Sequence, residues 1–165
     1  MKPVRTHVPD HSLAKFLTFD RQVLRFSCVW DDTASAYGDV RLFELRYFLG
    51  DDCFEVSEKS DPNSGRGAGG TFLKRSRLPK NQAASAPGGN QFLGGESTAT
   101  GQAEFYSDRD LTIGGVVQCW GRPFILLDCD EFTRQYYRQK YGVQRIEPLT
   151  VQQVLHKDPD TGAAK

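Results

Sequence analysis

Residues 124–142, FILLDCDEFTRQYYRQKYG, pass from a strand pattern to a helical pattern within one stretch. Phe124 and Leu126 alternate with their neighbours, as in a strand that buries one face. The segment upstream of Gly121 has apolar residues that are expected to share one face as well: Leu111, Ile113, Val117 and Cys119. The pattern predicts two strands joined by a turn at Gly121-Arg122, followed by a helix.

The predicted helix carries signals at both of its ends. Asp128 is expected to cap its N-terminus, and Glu131 three residues later completes a capping box. Arg138 and Lys140 in the last turn oppose the helix dipole correctly, and Gly142 suits a left-handed C-terminal cap. An apolar stripe at helical spacing is predicted to pack on the sheet, and it comprises Cys129, Phe132, Tyr136 and Val143.

Earlier segments of the chain also alternate between apolar and polar residues. Their apolar positions lie at 24–30, 43–49 and 54–56, and short polar connections separate them, which indicates an antiparallel meander. Residues 71–80, TFLKRSRLPK, predict a further strand or extended segment that Pro79 ends. Six or seven antiparallel strands with one C-terminal α-helix predict an α+β fold, either a roll or a partly open barrel.

Three stretches lack a regular apolar pattern and are expected outside the packed core. Residues 1–18 are interpreted as an N-terminal extension, and residues 147–165 as a C-terminal linker or tail. Residues 81–104 are rich in Gly, Ala and Ser, which predicts a flexible surface loop. The folded domain is then expected over residues 19–146.

The composition disfavours several classes of function. Lys plus Arg and Asp plus Glu each number 21, so the net charge is zero and no global field attracts nucleic acid or an anionic membrane. No apolar run approaches the ~18 residues that a membrane span needs. The four cysteines have no paired spacing, which favours buried, reduced thiols in a cytosolic compartment over a disulfide framework or a zinc site.

The positions of the histidines argue against common enzyme mechanisms. His7, His11 and His156 all fall in the terminal segments, and histidine is the usual general base near neutral pH. DDTASAYGD and DPDTG lack the alternating oxygen ligands and the closing glutamate of an EF-hand loop. The sequence therefore predicts a non-enzymatic domain, without catalytic, cofactor-binding or metal-binding residues.

Residues 65–70, GRGAGG, match the glycine spacing of a phosphate-binding loop. Such a loop works between a strand and a helix N-terminus, where backbone N–H groups meet the phosphate. The residues after Gly70 have a strand pattern, and Thr71 stands where a P-loop has lysine. The glycines are therefore interpreted as a flexible turn that binds no nucleotide.

Seven short elements follow one another between about Phe19 and Gly142: LRFSCVWDD, GDVRLFELRYFLGDD, PNSGR, FLKRSRLPK, DLTIGG, WGRPFILLDCDEFTR and YY. In this order they resemble a DM-ten domain, a module of EF-hand-containing ciliary proteins and of a ciliary nucleoside-diphosphate kinase. The resemblance implies a fold similar to pleckstrin-homology domains, with two packed antiparallel sheets and one C-terminal α-helix.

The same resemblance implies a function. Proteins with this domain look like microtubule inner proteins, which lie on the luminal wall of ciliary doublet microtubules and stabilise the protofilament ribbon. The implied partners are tubulin and neighbouring microtubule inner proteins, and the implied location is the cytoplasm, in the axonemal cytoskeleton of a cilium or flagellum. The alternative is an adaptor or regulatory domain that contacts other ciliary proteins. The isolated domain is expected to be monomeric.

A basic segment is the first candidate partner surface. Lys74, Arg75, Arg77 and Lys80 suit an acidic partner such as tubulin, which a few such charges would steer into place. A solvated strand face with compensating acidic residues nearby explains the segment equally well.

The predicted helix offers a second candidate surface. Arg134 and Arg138 are expected on its outer face beside Tyr137 and Tyr141, and exposed tyrosines next to arginine favour an interface. Tyrosines that cover a sheet edge would give the same pattern.

The connection WDDTASAYGD contains Asp31, Asp32 and Asp39 and no basic residue. Pleckstrin-homology domains that bind phosphoinositides typically have basic residues in their first hairpin loop, so binding to membrane lipid is not expected. The aspartates are interpreted as acceptors for backbone N–H groups in a tight turn, with partner contact as the alternative.

Overall fold

The computed structural model describes residues 11–59, 63, 70–80 and 104–155. These residues form a curled, antiparallel six-stranded sheet with a few helices, a mixed α+β architecture. The strands are β1 Val23–Asp31, β2 Val40–Phe48, β3 Cys53–Glu58, β4 Thr71–Ser76, β5 Val116–Cys119 and β6 Arg122–Cys129. The α-helices are α1 His11–Phe19, α2 Glu131–Tyr141 and α3 Val151–Leu155, and a 3₁₀ turn spans Asp108–Asp110.

The strands follow the order β4-β3-β2-β1-β6-β5 and pair antiparallel throughout. The predicted meander of the first three strands, the strand at 71–76 and the final hairpin are therefore confirmed. Hydrogen bonds connect all six strands into one sheet, so the division into two packed sheets that the resemblance implies stays a prediction.

The core lies on one face of this sheet. Alternate residues of β1 are buried as predicted: Leu24, Phe26, Cys28 and Trp30. Their counterparts on β2 are Phe43, Leu45 and Tyr47. Aromatic rings connect strands across this face, since the ring centroids of Phe43 and Phe124 lie 4.9 Å apart. Because burial alternates from one residue to the next, the strands could be predicted from the sequence.

The β5–β6 hairpin differs from its prediction at both ends. β5 begins at Val116, so Leu111 and Ile113 precede the strand and follow the 3₁₀ turn. The reason is a tight turn at Gly114-Gly115, where a Cβ on Gly115 would lie 2.7 Å from the Thr112 hydroxyl. The connecting turn consists of Trp120-Gly121, one residue earlier than predicted, because Cys119 pairs with Arg122.

The N-terminal cap of helix α2 lies two residues later than predicted. Asp130 is the N-cap, and its carboxylate accepts a hydrogen bond from the backbone N–H of Thr133 at 2.9 Å. Asp128 was the wrong choice because Cys129 still belongs to β6, where it pairs with Phe26. The predicted C-terminal cap is correct, since Gly142 has the left-handed conformation with φ 67°.

The buried face of α2 is also different from the predicted stripe. The helix buries Thr133 and Tyr137, whereas Phe132 and Val143 remain 44% and 37% exposed. The predicted stripe includes Cys129, which lies in β6, so its register does not match that of the helix. Tyr136 is half-buried against the core, as predicted.

Both terminal segments contain regular structure that the pattern did not predict. Helix α1 occupies much of the expected N-terminal extension, and a Lys15–Asp52 ion pair at 2.5 Å attaches it to the β2–β3 turn. In the expected C-terminal tail, the Leu149 N–H donates to the Leu127 carbonyl at 2.8 Å, and α3 follows. Few residues make these contacts, so the sequence contains no long periodic pattern of apolar residues that would predict them.

Candidate interaction surfaces

The basic segment of the sequence lies on β4 and the residues just after it, at one edge of the sheet. Arg75 pairs with Asp51 at 2.7 Å and lies over the Phe48 ring at 3.9 Å. Arg77 lies over the Phe105 ring at 4.2 Å. These two guanidinium groups therefore already have partners within the domain.

The remaining two lysines of the segment differ from each other. Lys80 pairs with Glu104 and with Asp110, each at 3.0 Å. Lys74 is exposed, and it makes no ion pair with the residues that the structure describes. Acidic residues thus compensate two of the four charges, at Arg75 and Lys80. Lys74 and Arg77 are exposed and make no ion pair within the described residues, and Lys74 also has no ring contact, so its charge is the most available to a partner.

The second predicted surface, on α2, is only partly a surface. Arg134 pairs with Asp128 at 2.6 Å, and Arg138 lies 4.0 Å from Glu131. Tyr137 was placed wrongly on the outer face, because it is 7% exposed and its ring packs edge-on against Phe26. The tyrosines of this helix therefore cover the sheet, which was the alternative reading.

A cluster of polar side chains that the sequence did not reveal surrounds Asp108. Its carboxylate accepts hydrogen bonds from the Tyr136 hydroxyl and the Lys140 ammonium, each at 2.7 Å, and from the Tyr141 hydroxyl at 2.8 Å. The Tyr137 hydroxyl donates to the Asp108 backbone carbonyl at 2.6 Å. The helical spacing of these donors is visible in the sequence, but nothing local indicates that Asp108 is their acceptor.

The electrostatics of this cluster favour one fixed charge state. Burial by itself raises the pKa of Asp108, but hydrogen bonds from Lys140, Tyr136 and Tyr141 outweigh it and hold the pKa below its ordinary value. Burial raises the pKa of Tyr136 to about 12, so its phenol stays a donor near neutral pH. The cluster therefore fixes α2 to the 3₁₀ turn and has no group ready to exchange a proton at neutral pH.

The connection between β1 and β2 is ordered by its own hydrogen bonds. Asp31 accepts from the Thr33 N–H at 3.0 Å, and Asp39 accepts from the Val40 N–H at 2.8 Å. At Gly38 an added Cβ would lie 1.5 Å from the Asp32 carbonyl oxygen, so the turn admits only glycine there. The structural interpretation of the aspartates is confirmed at Asp31 and Asp39.

An apolar cavity of about 520 Å³ lies where α2, the sheet and the returning C-terminal segment meet. Phe26 and Tyr137 line it from the core, and Ile146 and Leu149 line it from the C-terminal segment. The charged lining residues Arg145 and Glu147 pair with each other at 2.7 Å. This lining offers apolar contact and no pair of groups arranged for acid–base chemistry.

The thiols are not activated. Burial raises the pKa of Cys28 and of Cys119 to about 12 and also raises the pKa of Cys53 and Cys129. All four are free, and Cys53 is only half-buried, in contrast to its prediction. A nucleophilic cysteine needs a lowered pKa, so these thiols lack that property.

Within residues 11–59, 63, 70–80 and 104–155, no cluster of three or more His, Cys, Asp or Glu side chains is arranged to hold a metal ion. None of the helices in these ranges has the length and apolar character of a membrane span. The GRGAGG residues before Gly70, the loop 81–103, His7 and His156 lie outside the described residues.

Comparison with known proteins identifies relatives over most of the chain. The model of the DM10 domain, which is the DM-ten domain of the sequence resemblance, matches residues 13–133. EF-hand domain-containing family member C2 of Mus musculus is 40% identical over 172 aligned residues, covering 90% of this chain and 22% of the relative. EF-hand domain-containing protein 1 of Homo sapiens is 37% identical over 153 aligned residues, covering 91% of this chain and 24% of the relative. The chain spans about a quarter of the length of these curated relatives.

Proposed function

This chain belongs to the DM10 domain family, and from that premise we propose that it is a non-enzymatic structural module of a ciliary protein. In this proposal the domain binds tubulin on the luminal side of doublet microtubules and helps to stabilise the protofilament ribbon. The observation that carries the proposal is the match to EF-hand domain-containing relatives over nine-tenths of the chain. The proposal also includes the fold class, a pleckstrin-homology-like roll in which α2 covers the sheet.

The chemistry of the described residues supports a binding role. The thiol pKa values are raised, and the Asp108 carboxylate has its negative charge satisfied by three donors. Such groups hold a fold rigid, and a rigid surface loses little conformational entropy when it binds a partner. Tandem or neighbouring copies of a weakly binding module on a repeating lattice then gain by effective concentration.

Co-sedimentation of the purified chain with stabilised microtubules tests the proposal. We expect weak, saturable binding that persists on microtubules whose acidic C-terminal tails have been removed by subtilisin. Those tails lie on the outer surface, so a luminal contact does not need them. Absence of the chain from the pellet at the highest protein concentration, together with a position away from the tubulin wall in axoneme density maps, would reject the proposal.

One observation favours the alternative adaptor role. Arg75 and Lys80 are paired within the domain, so the β4 edge presents less positive charge to acidic tubulin than its sequence indicates. Crosslinking from Lys74 in intact axonemes separates the two functions. Crosslinks to tubulin support the structural module, and crosslinks confined to other ciliary proteins support the adaptor.

A further inference from the structure

The β1–β2 connection and the β5–β6 turn lie side by side at one end of the sheet. β1 and β6 are antiparallel neighbours in which Val29 faces Ile125, so the end of β1 meets the start of β6. The Arg122 guanidinium at that start lies 4.8 Å from the ring centroid of Trp30, near the end of β1. We call Tyr37, Trp120 and Arg122 at this end the aromatic tip.

Trp120 occupies a backbone conformation that does not suit it. It has φ 51°, and Gly121 after it has φ 80°. Positive φ at both positions of a two-residue hairpin turn is typical of a type I′ turn, which strongly prefers Asn-Gly. A bulky residue is disfavoured in this region because its Cβ approaches the backbone. The turn would therefore form more readily with a different residue at position 120.

The indole of Trp120 does not compensate through burial, because the residue is 47% exposed. The neighbouring connection presents Tyr37, which is 99% exposed, from a loop closed by a hydrogen bond between the Asp32 N–H and the Asp39 carbonyl. Two large aromatic side chains thus project from ordered turns at the same end of the sheet. Backbone strain together with exposure points to a role outside folding.

Arg122 supplies the charge of this surface. Its guanidinium stacks over the rings of Trp30 and Phe72, at 4.8 Å from each centroid. It makes no ion pair with an acidic residue of the described ranges, and it is exposed. Its N–H groups are therefore positioned by the stacking and available to an external carboxylate.

We propose that the aromatic tip is the surface through which this domain docks on tubulin, with Trp120 entering an apolar recess and Arg122 pairing with a carboxylate beside it. This proposal rests on the proposed function and assigns its contact. Trp, Tyr and Arg are the residue types that contribute most to protein interfaces. The aspartates of the β1–β2 connection restrict the partner's negative charge to the side of Arg122, which fixes the orientation.

The variant Trp120→Asn separates a binding role from a structural one, because the two predict opposite signs. Asn-Gly suits the turn, so the midpoint of thermal unfolding is expected to rise by roughly 2–6 °C. Microtubule co-sedimentation is expected to weaken at least tenfold, the size of a hot-spot residue. Tyr37→Ala, which removes almost no internal contact, is expected to weaken binding without changing stability.

Val116→Ser is the matched control, because Val116 is 48% exposed on the same hairpin but away from its turn. It should bind as the unmodified chain does. If Trp120→Asn folds and binds microtubules like the unmodified chain, the aromatic tip is not the docking surface, and the proposed function is unaffected. If Trp120→Asn fails to fold, unchanged binding by Tyr37→Ala overturns the assignment instead. If the unmodified chain does not bind microtubules and also lies away from the tubulin wall in axoneme density maps, both proposals are rejected.

Discussion

Thr133 illustrates how one residue joins two elements of this domain. It is fully buried, and its hydroxyl accepts a hydrogen bond from the Arg25 N–H of β1 at 3.0 Å while it donates to the Asp130 carboxylate. Four residues of the motif DCDEFTR therefore have a structural explanation, because Asp128 also pairs with Arg134 and Asp130 caps the helix.

Replacement of Thr133 by valine keeps the shape and removes the hydroxyl. The partly buried Arg25 N–H then has no acceptor, so the free energy of unfolding is expected to fall by about 1–3 kcal/mol. Urea unfolding followed by circular dichroism measures the change. Thr18→Val on the exposed face of α1 serves as the control, expected within about 0.5 kcal/mol of the unmodified chain. Equal effects of the two changes would contradict the role of the hydroxyl.

The ionisation of Asp108 makes the stability of the domain depend on pH. Because its carboxyl pKa is lowered on folding, its stabilisation is complete above the unfolded pKa of about 3.9 and is lost as pH falls through the folded value. Asp108→Asn should lower the free energy of unfolding at pH 7 by about 2 kcal/mol and flatten its decline as pH falls below about 4.

Urea unfolding at a series of pH values measures both effects. Asp39→Asn is the control, since this aspartate is exposed and its carboxylate accepts a hydrogen bond from the N–H of the next residue, Val40, at 2.8 Å. If the pH profile of Asp108→Asn parallels that of the unmodified chain, the charge of Asp108 does not cause the loss of stability in acid.

At the level of the elements, strands were predicted better than the surfaces of the helix. Alternation in β1 and β2 reports burial directly, because successive side chains point to opposite faces. The face of α2 depends on where the helix starts, and an error of two residues at Asp128 rotated the predicted stripe and moved Tyr137 to the wrong side. A helical register is thus sensitive to its first residue in a way that a strand pattern is not.

The residues of the Asp108 cluster show a second limit of sequence reasoning. Tyr136, Lys140 and Tyr141 are readable as neighbours on a helix, but their acceptor lies in a short 3₁₀ turn far along the chain. The pairing of Arg75 with Asp51 has the same character. Long-range polar contacts leave no period in a sequence, so compensation of the basic segment is predicted only as an alternative, and the acidic partners cannot be named.

The C-terminal cap of α2 allows a test of backbone conformation alone. Gly142 has φ 67°, and an added Cβ would meet no atom within 4 Å, so Gly142→Ala meets no steric obstacle beyond its own backbone. The free energy of unfolding is expected to fall by about 1 kcal/mol. Gly70→Ala is the matched control, because its surroundings are equally open and its φ lies outside the left-handed region. Equal results in chemical denaturation would show that the cap does not require glycine.

The reactivity of the cysteine thiols reports on the unfolding of the molecule as a whole. Burial raises the pKa of Cys28 and of Cys119 to about 12, whereas Cys53 is half-buried near the β2–β3 turn. At pH 8, Ellman's reagent is expected to modify Cys53 within minutes and the other three thiols only at the rate of unfolding. Cys53→Ser should abolish the early phase, and rapid modification of any thiol in that variant would contradict the protection of the core.

The position of β4 at the edge of the sheet has a consequence for aggregation. An open strand edge invites another chain to add to it, and natural proteins discourage this with charged side chains and very short outer strands. Lys74 and Arg75 are exposed on β4, and β5 at the opposite edge is only four residues long. Lys74 thus also disfavours the addition of a strand from another chain at this edge, which lowers the tendency of the domain to aggregate at high concentration.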